Sequence, residues 1–501
     1  MELELTRETL RFEQYAGRVA EQVTIEGEAT LPGSMRDAVT VLSVQAHAYL
    51  DGTQAGNGEV GVRGSVCFQV LYTQGDLTRI RALETTCSFT HRIPFAAAAP
   101  QMRIRAHAAV QETDGEAASG RMRLRALLEI TAEAFAAGEE NVIASAAEKG
   151  GGKENLQTRM QSLETCAADV LGEGKALARE EFDLPDRLGA GDVLFAWAHA
   201  RADDFSGGNG RISVSGVIEL RVIHRPKDGS GALVTTVHEL PYEAPVDARA
   251  EEGGQIRAQV EVTDVMADSA PREKGRILRA EAEVRVVLSA CRSREVQLLE
   301  DLYSLRGPVL EPLTKTLNIH TAETRTQARE SLRVQAALPP DAPPIDQVLA
   351  VFANPVLTGL TPAGRRLDTE GLLGITLIYL PVDSDIPYAV HTREPFALTF
   401  PVAAGEDVHA EIETIEAAAG PTTSDRAEIR CVLGLCAVQH GTKSVRVVTD
   451  IEQGPEEKKE HGFVLVWPEE GETRWETARR LRVEPSALRP AGGHALLALR
   501  R

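Results

Sequence analysis

Apolar and polar residues alternate along most of this chain, as at Val23, Ile25, Ala29 and Leu31. A period of two puts every second side chain on one face of a strand, so the pattern predicts half-buried β-strands. Helical spacing is weak until the last stretch. One strand is written three times: Val62 to Tyr72, Val214 to His224 and Thr369 to Tyr379, each with a glycine near its start at Gly64, Gly216 or Gly371. The three glycines lie 152 and 155 residues apart, which is the length of a whole domain rather than of a solenoid unit.

Other features recur in the same order around that strand. A lead-in of alternating residues ends in Leu-Pro, at Leu31-Pro32, Leu184-Pro185 and Leu338-Pro339. It predicts strands, the last one ended by the proline. A Val-Leu pair follows at Val41-Leu42, Val193-Leu194 and Val348-Leu349, and then a turn at Asp51–Gly58, Ser206–Gly210 or Thr361–Gly364. After the marked strand come an aromatic-proline segment, one further strand, and a last strand carrying Leu124-Arg125-Ala126, Leu278-Arg279-Ala280 or Ile429-Arg430-Cys431. The fold class this predicts is mainly β: three tandem antiparallel, sandwich-like repeats at residues 1–153, 154–312 and 313–455. Tethers are expected at Lys149–Asn155 and Arg306–Pro312, and the recurring arginine is read as a surface residue, an inter-repeat ion pair or a partner contact.

Composition narrows the function. The chain has 501 residues, 43% of them hydrophobic, enough for several cores. Lys plus Arg is 54 against 74 Asp plus Glu, a net charge of -20, which argues against nucleic acid as the partner. Six cysteines, at positions 67, 87, 166, 291, 431 and 436, form no C-x-x-C and fit reduced, buried thiols. The start of the chain reads neither as a signal peptide nor as a membrane span, so a protein made in the cytoplasm is expected.

The run Glu456 to Glu460 reads as a solvated linker, residues 456–461, and the character changes after it. Residues 462–501 are expected to form a small β-α-α-β module. Phe463–Val466 is its first strand, Thr473 and Glu476 have the spacing of a capping box, a helix runs from Arg474 to Arg482, Pro485 opens a second helix, and Ala495–Leu499 is the second strand. Residues 461–501 carry seven Arg against five Glu. Here Val466, Gly471-Glu472-Thr473, Trp475, Ala478, Val483 and Leu488 resemble a LysM module. Glu472, Arg474 and Thr477 depart from the pattern of that family, which weighs against the glycan binding the resemblance implies while leaving its fold intact.

Three β repeats with the strand glycine, followed by such a module, resemble the SPOCS-domain spore coat morphogenetic proteins of the SipL type from spore-forming Firmicutes. The resemblance implies a mother-cell cytoplasmic protein recruited to the forespore surface, where its LysM-like module docks onto the ATPase basement-layer protein of the coat. No catalytic, metal or cofactor motif stands out. Gly150 to Glu154 lacks the Ser or Thr of a phosphate loop, Cys431 and Cys436 have no second pair, and Asp203-Asp204 reads as solvated. The candidate partner-binding residues are Arg474, Trp475, Arg479, Arg480 and Arg482, with Trp475 also read as a core residue and the arginines as a solvated face. The expected function is a non-enzymatic assembly scaffold. The alternative is a LysM protein that binds peptidoglycan or spore cortex, if only weakly.

Overall fold

The computed structural model describes residues 2–31, 39–75, 79–118, 120–149, 155–208, 210–229, 231–248, 255–402, 407–456, 462–492 and 494–500. The first unit has β1 (Leu3–Thr30), β2 (Val39–Ala55), β3 (Glu59–Gln74), β4 (Arg81–Pro94), β5 (Arg103–Ala118) and β6 (Arg121–Glu148). These pair as two antiparallel sheets, β1-β6-β5 and β2-β3-β4. The second unit has β7 (Leu156–Leu184), β8 (Ala190–Gly208), β9 (Arg211–Pro226), β10 (Val234–Val246), β11 (Gln255–Pro271) and β12 (Arg276–Ser304). The third has β13 (Pro308–Ala337), β14 (Ile345–Pro362), β15 (Leu367–Pro381), β16 (Tyr388–Phe400), β17 (His409–Thr422) and β18 (Arg426–Glu456). Both repeat the same pairing, as β7-β12-β11 with β8-β9-β10 and β13-β18-β17 with β14-β15-β16.

In each unit the two sheets bury their facing sides against each other. Along β6 the inward residues are Met122, Leu124, Ala126, Leu128, Ile130, Ala132 and Ala134, every second one, and they meet Val60, Val62, Val66, Phe68 and Val70 of β3. Each lead-in is one continuous strand where the sequence suggests several. Only its second half lies in the sandwich, because β5 pairs no further along β6 than Phe135. Beyond that point β1 and β6 continue as a two-stranded stem, and a register shift marks the bend, between Tyr15 and Gly17 in the first unit and between His320 and Ala322 in the third.

The recurring features have geometric causes. Each Val-Leu pair is a bulge: Val41 opposes Tyr72 and Ser43 opposes Leu71, so Leu42 is the extra residue, and Leu194 and Leu349 are extra in the same way. The bulge turns those leucines away from their own sandwich. Leu42 and Leu349 are fully or nearly fully buried in one cluster with Leu71, Ile223 and Ile378, which stand at matching places in the three marked strands, and Leu194 packs against its edge. The marker glycine has a different cause. Gly64, Gly216 and Gly371 each sit beside a second bulge, where a Cβ would run into the carbonyl oxygen of Tyr49, Arg201 or Val356 and into the ring of Phe89, Tyr242 or Phe396 directly across on the next strand. A side chain at this position would displace both the bulged strand and the aromatic that covers the glycine.

The three units close on one another. The stems share a core built from Leu10, Leu163 and Leu317 at matching positions, with Val142, Val296 and Val445. Hydrogen bonds complete a ring between the sandwiches: Gln69 Nε2 donates to Ala196 O at 2.9 Å, Arg221 donates to Ile415 O, and Asn354 Nδ2 donates to Val110 O and Gln111 O at 3.2 Å. The arginines of the last-strand triplets lie on the outer surface, Arg125 with Glu26, Arg279 with Glu181 and Arg430 with Glu428.

Some boundaries differ from the sequence reading. The expected turn at Asp51–Gly58 is strand as far as Ala55, and β13 begins at Pro308, inside the expected Arg306–Pro312 tether. The first tether's residues 150–154 and the linker's residues 457–461 lie outside the described residues. Cys431 and Cys436 are five apart on β18 and so point to opposite faces; Cys431 is buried in the sandwich core and Cys436 is half-buried on the other side. Burial pushes the Cys431 thiol up to about 11.

The C-terminal module has β19 (Gly462–Val466), α1 (Arg474–Leu481), β20 (Arg489–Gly492) and β21 (Ala495–Arg500), with sheet order β19-β21-β20. The capping box forms as expected from the spacing: the Thr473 side chain accepts from the Glu476 amide while the Glu476 carboxylate accepts from the Thr473 amide. The predicted second helix is a single 3-10 turn, Pro485–Ala487, and Arg489–Gly492 pairs as a strand instead of closing a helix. Its closing bond runs from the Ala487 amide to Glu484 O at 2.9 Å, the three-residue step of a 3-10 turn.

Candidate functional site

Two places in the molecule concentrate polar chemistry. The first is the contact between the C-terminal module and the end of the second unit's stem. Tyr303 of β12 is buried in the module's own small core with Val466, Ala478, Leu481, Val483, Leu488 and Ala498, and its hydroxyl donates to Val483 O at 2.8 Å. Trp475 packs edge-on against that ring, with centroids 5.1 Å apart, and its Nε1 donates to Asp301 Oδ2 at 2.7 Å. The Arg159 guanidinium lies 5.5 Å from the indole centroid.

The sequence-predicted residues divide here. Arg479 pairs with Asp301 at 3.2 Å, and Arg482 donates to Ser304 O, Ser304 Oγ and Gly307 O at 2.7–2.9 Å. Arg482 holds a left-handed backbone with φ of 49°, a conformation more usual for glycine at a helix C-terminus. Its hydrogen bonds to the body offset the strain. Arg480 pairs with Glu472 at 2.9 Å, and Arg474 donates to Pro485 O and Leu488 O at 2.8 and 2.6 Å, so both brace the module itself. Trp475, Arg479 and Arg482 therefore face the body, while Arg474 and Arg480 are exposed. Behind α1 the sheet turns its other face outward, with Phe463 and Leu465 exposed on β19 and Trp467 just after it.

The second place lies between the first and third units, at the bend where their stems begin. Glu13 on β1, Arg103 and Arg105 on β5 and Glu133 on β6 meet His320 and Glu323 on β13, His409 on β17 and His440 on β18. Arg103 binds Glu13 Oε1 at 2.7 Å, and Glu13 Oε2 lies 3.1 Å from His320 Nδ1. His320 Nε2 lies 3.2 Å from His440 Nδ1, and His440 Nε2 lies 2.8 Å from Glu133 Oε1. Arg105 donates to Glu133 Oε2 through Nε and Nη2 at 2.8 and 2.5 Å and to Glu323 Oε2 through Nη1 at 2.6 Å. Tyr15 stacks on His440 at 4.2 Å, and Arg103 lies over Phe135 at 4.3 Å.

Burial alone would raise these carboxyls. For Glu133 the neighbouring His440 and Arg105 outweigh it and bring the group down to about 2. Glu13 is lowered against burial by His320 and Arg103, and Glu323 by Arg105. Burial pushes the His409 imidazole down to about 4, so it is neutral at ordinary pH. Both oxygens of Glu133 are thus ionised, one held by arginine and the other facing imidazole nitrogens.

Sequence reasoning missed this cluster because its members, spread from Glu13 to His440, lie 335 residues apart even where Arg105 meets His440. It missed Asp301 and Tyr303 because they look like ordinary strand residues. Among the described residues no helix is long and apolar enough to cross a membrane.

Residues 37–117, which span β2 to most of β5 and include Gly64, match the family described as SipL, SPOCS domain. No curated protein and no solved structure matches the chain. The matched segment holds the first Val-Leu bulge and the first aromatic-covered glycine, the two features that the other units repeat. Residues 37–117 are thus similar to a SPOCS domain of the SipL type, a domain that suggests a role in sporulation.

Proposed function

We propose that the chain is a non-enzymatic scaffold of spore coat assembly, built from three SPOCS-like β units and a LysM-like module. The observation that carries this reading is the family match of the first unit, extended by the same sheet pairing, bulge and covered glycine in the other two. On this reading the three units form the rigid body of a mother-cell protein recruited to the forespore surface. The C-terminal module supplies the contact to the basement-layer coat ATPase.

The geometry supports a division of labour within that module. Trp475, Arg479 and Arg482 are engaged with the body, which leaves for a partner the apolar strand face of Phe463 and Leu465 with the nearby Trp467. Exposed aromatic and aliphatic residues of this kind suit the centre of a protein interface. Three units on one chain let weak contacts to several coat proteins add through effective concentration.

The test is capture of the full chain by the purified coat ATPase and, in parallel, by peptidoglycan sacculi. The wild type is expected on the ATPase, and a Phe463→Ser/Leu465→Ser variant with unchanged circular dichroism is expected to lose at least about tenfold in affinity, as fits the loss of two apolar anchors. Retention on sacculi with no binding to the ATPase would replace the scaffold reading with the glycan-binding one.

A further inference from the structure

The buried cluster between the first and third units contains a short imidazole–carboxylate contact with a third imidazole beside it. With both rings neutral, a His320 Nδ1 proton donated to Glu13 would leave Nε2 bare. That bare nitrogen accepts from His440 Nδ1 at 3.2 Å. The remaining His440 nitrogen, Nε2, is then bare as well. Arg105 Nη2, which can only donate, lies 3.4 Å from the same atom. Yet His440 Nε2 points at Glu133 Oε1 from 2.8 Å. Between neutral rings that pair is acceptor against acceptor, and the 2.8 Å contact is filled by a cation, either a second proton on His440 or a metal ion.

A proton would serve that pair alone. His409 brings a third ligand atom that such a proton leaves out: it is buried, and its Nε2 lies 3.7 Å from Glu133 Oε1, beyond hydrogen-bond reach. Glu133 Oε1, His409 Nε2 and His440 Nε2 all lie within 4.8 Å of one another. Arg105 occupies the other carboxylate oxygen, so Oε1 is aimed at the two imidazoles only.

We propose that Glu133, His409 and His440 form a metal site of the zinc class that clasps the first unit to the third. Two imidazoles and one carboxylate are a donor set Zn²⁺ favours, at about 2.0–2.2 Å from each atom, and a tetrahedral ion would open the 2.8 Å pair by about half an ångström and draw in His409 Nε2 from its 3.7 Å. Behind His440, the relay through His320 to Glu13 and Arg103 fixes the ring and its tautomer, as the outer partners of metal-bound histidines do. The ligands come from β6, β17 and β18, so an ion there ties two units that are distant in sequence. Metal binding of this kind adds directly to folding stability. The inference stands independently of the coat reading.

The test uses the untagged full-length protein, stripped with a chelator and titrated with Zn²⁺ and with Co²⁺, whose absorption reports coordination. One equivalent should bind and raise the thermal midpoint. His409 makes no hydrogen bond to the cluster's carboxylates, so His409→Ala and the bulkier His409→Phe should keep the fold while weakening metal affinity by at least about 100-fold, the upper range for losing even an outer partner. Failure of the wild type to bind an equivalent of either metal, or equal binding by wild type and both His409 variants, overturns the proposal. The first of those outcomes identifies the bridging cation as a proton.

Discussion

The three units meet in two unlike ways. Around the centre they touch through matching aliphatic residues, Leu71 with Ile223 and Ile378, and Leu10 with Leu163 and Leu317. Between the first and third units they touch through charge, with three carboxylates, two arginines and three histidines in one buried cluster. The difference teaches how a repeated chain can still be singular. An apolar contact needs only volume and shape, so the same residue class serves in every copy. A buried charge needs a specific partner at a specific place, and here each unit supplies what the other lacks.

Removing one member of the charged cluster should therefore have the largest effect in the molecule. Arg105→Met leaves Glu133 and Glu323 without their shared cation in a buried site, a change expected to cost about 3–5 kcal/mol. Chemical denaturation of the full chain measures it, and a loss equal to that of an outer arginine such as Arg125 would show that water reaches the cluster. Acid probes the same contact without mutation. The folded-state values of Glu13, Glu133 and Glu323 lie below their ordinary 4.5, so their stabilisation is complete above about pH 4.5 and is lost as pH falls, reaching down to about 2 for Glu133. Amide exchange should rise at the bend of β1 and β18 across that window while the aliphatic centre stays protected. Exchange that rises equally at both places would erase the distinction between them.

The aliphatic centre should give a smaller loss from a single truncation. Ile378→Ala removes a fully buried side chain where three units converge and should cost about 2–4 kcal/mol, from lost burial and the cavity left behind. Because Leu71 and Ile223 occupy matching places, Leu71→Ala and Ile223→Ala should fall in the same range when measured by denaturation. A spread wider than that among the three would mean that the units share the centre unequally.

How much of this was legible follows from the same contrast. The marked glycine, the Val-Leu pair and the aromatic-proline segment could be read from sequence because three copies write them, and the structure gives each a cause in a bulge or a covered glycine. The single strand in each lead-in was harder. Its alternation is broken at the bend, where the register shifts and one residue is extra, so a continuous strand looks like separate ones. The charged cluster left no trace in the pattern at all. Glu13, Glu133 and His440 are single residues of a kind usually found on surfaces, and only the folding of distant strands onto one another turns them into a site. In the C-terminal module the capping box was readable from Thr473 and Glu476, yet the direction in which Trp475 and Arg482 point depends on Tyr303 and Ser304, which belong to another unit.

That module offers a third kind of contact, intermediate between the other two: an aromatic ring and arginines closed over one aspartate. Trp475→Phe keeps the ring against Tyr303 but removes the hydrogen bond to Asp301, which retains Arg479 as a partner. Because the carboxylate is not left alone, the loss should be only about 1.5–3 kcal/mol, the usual worth of a hydrogen bond to a charged group. It should also be local. Amide exchange in α1 and at the end of β12 is expected to quicken while the sandwich strands keep their wild-type protection. If protection fell throughout the second unit instead, the module would be part of that unit's fold, and the separation between body and docked module would not hold.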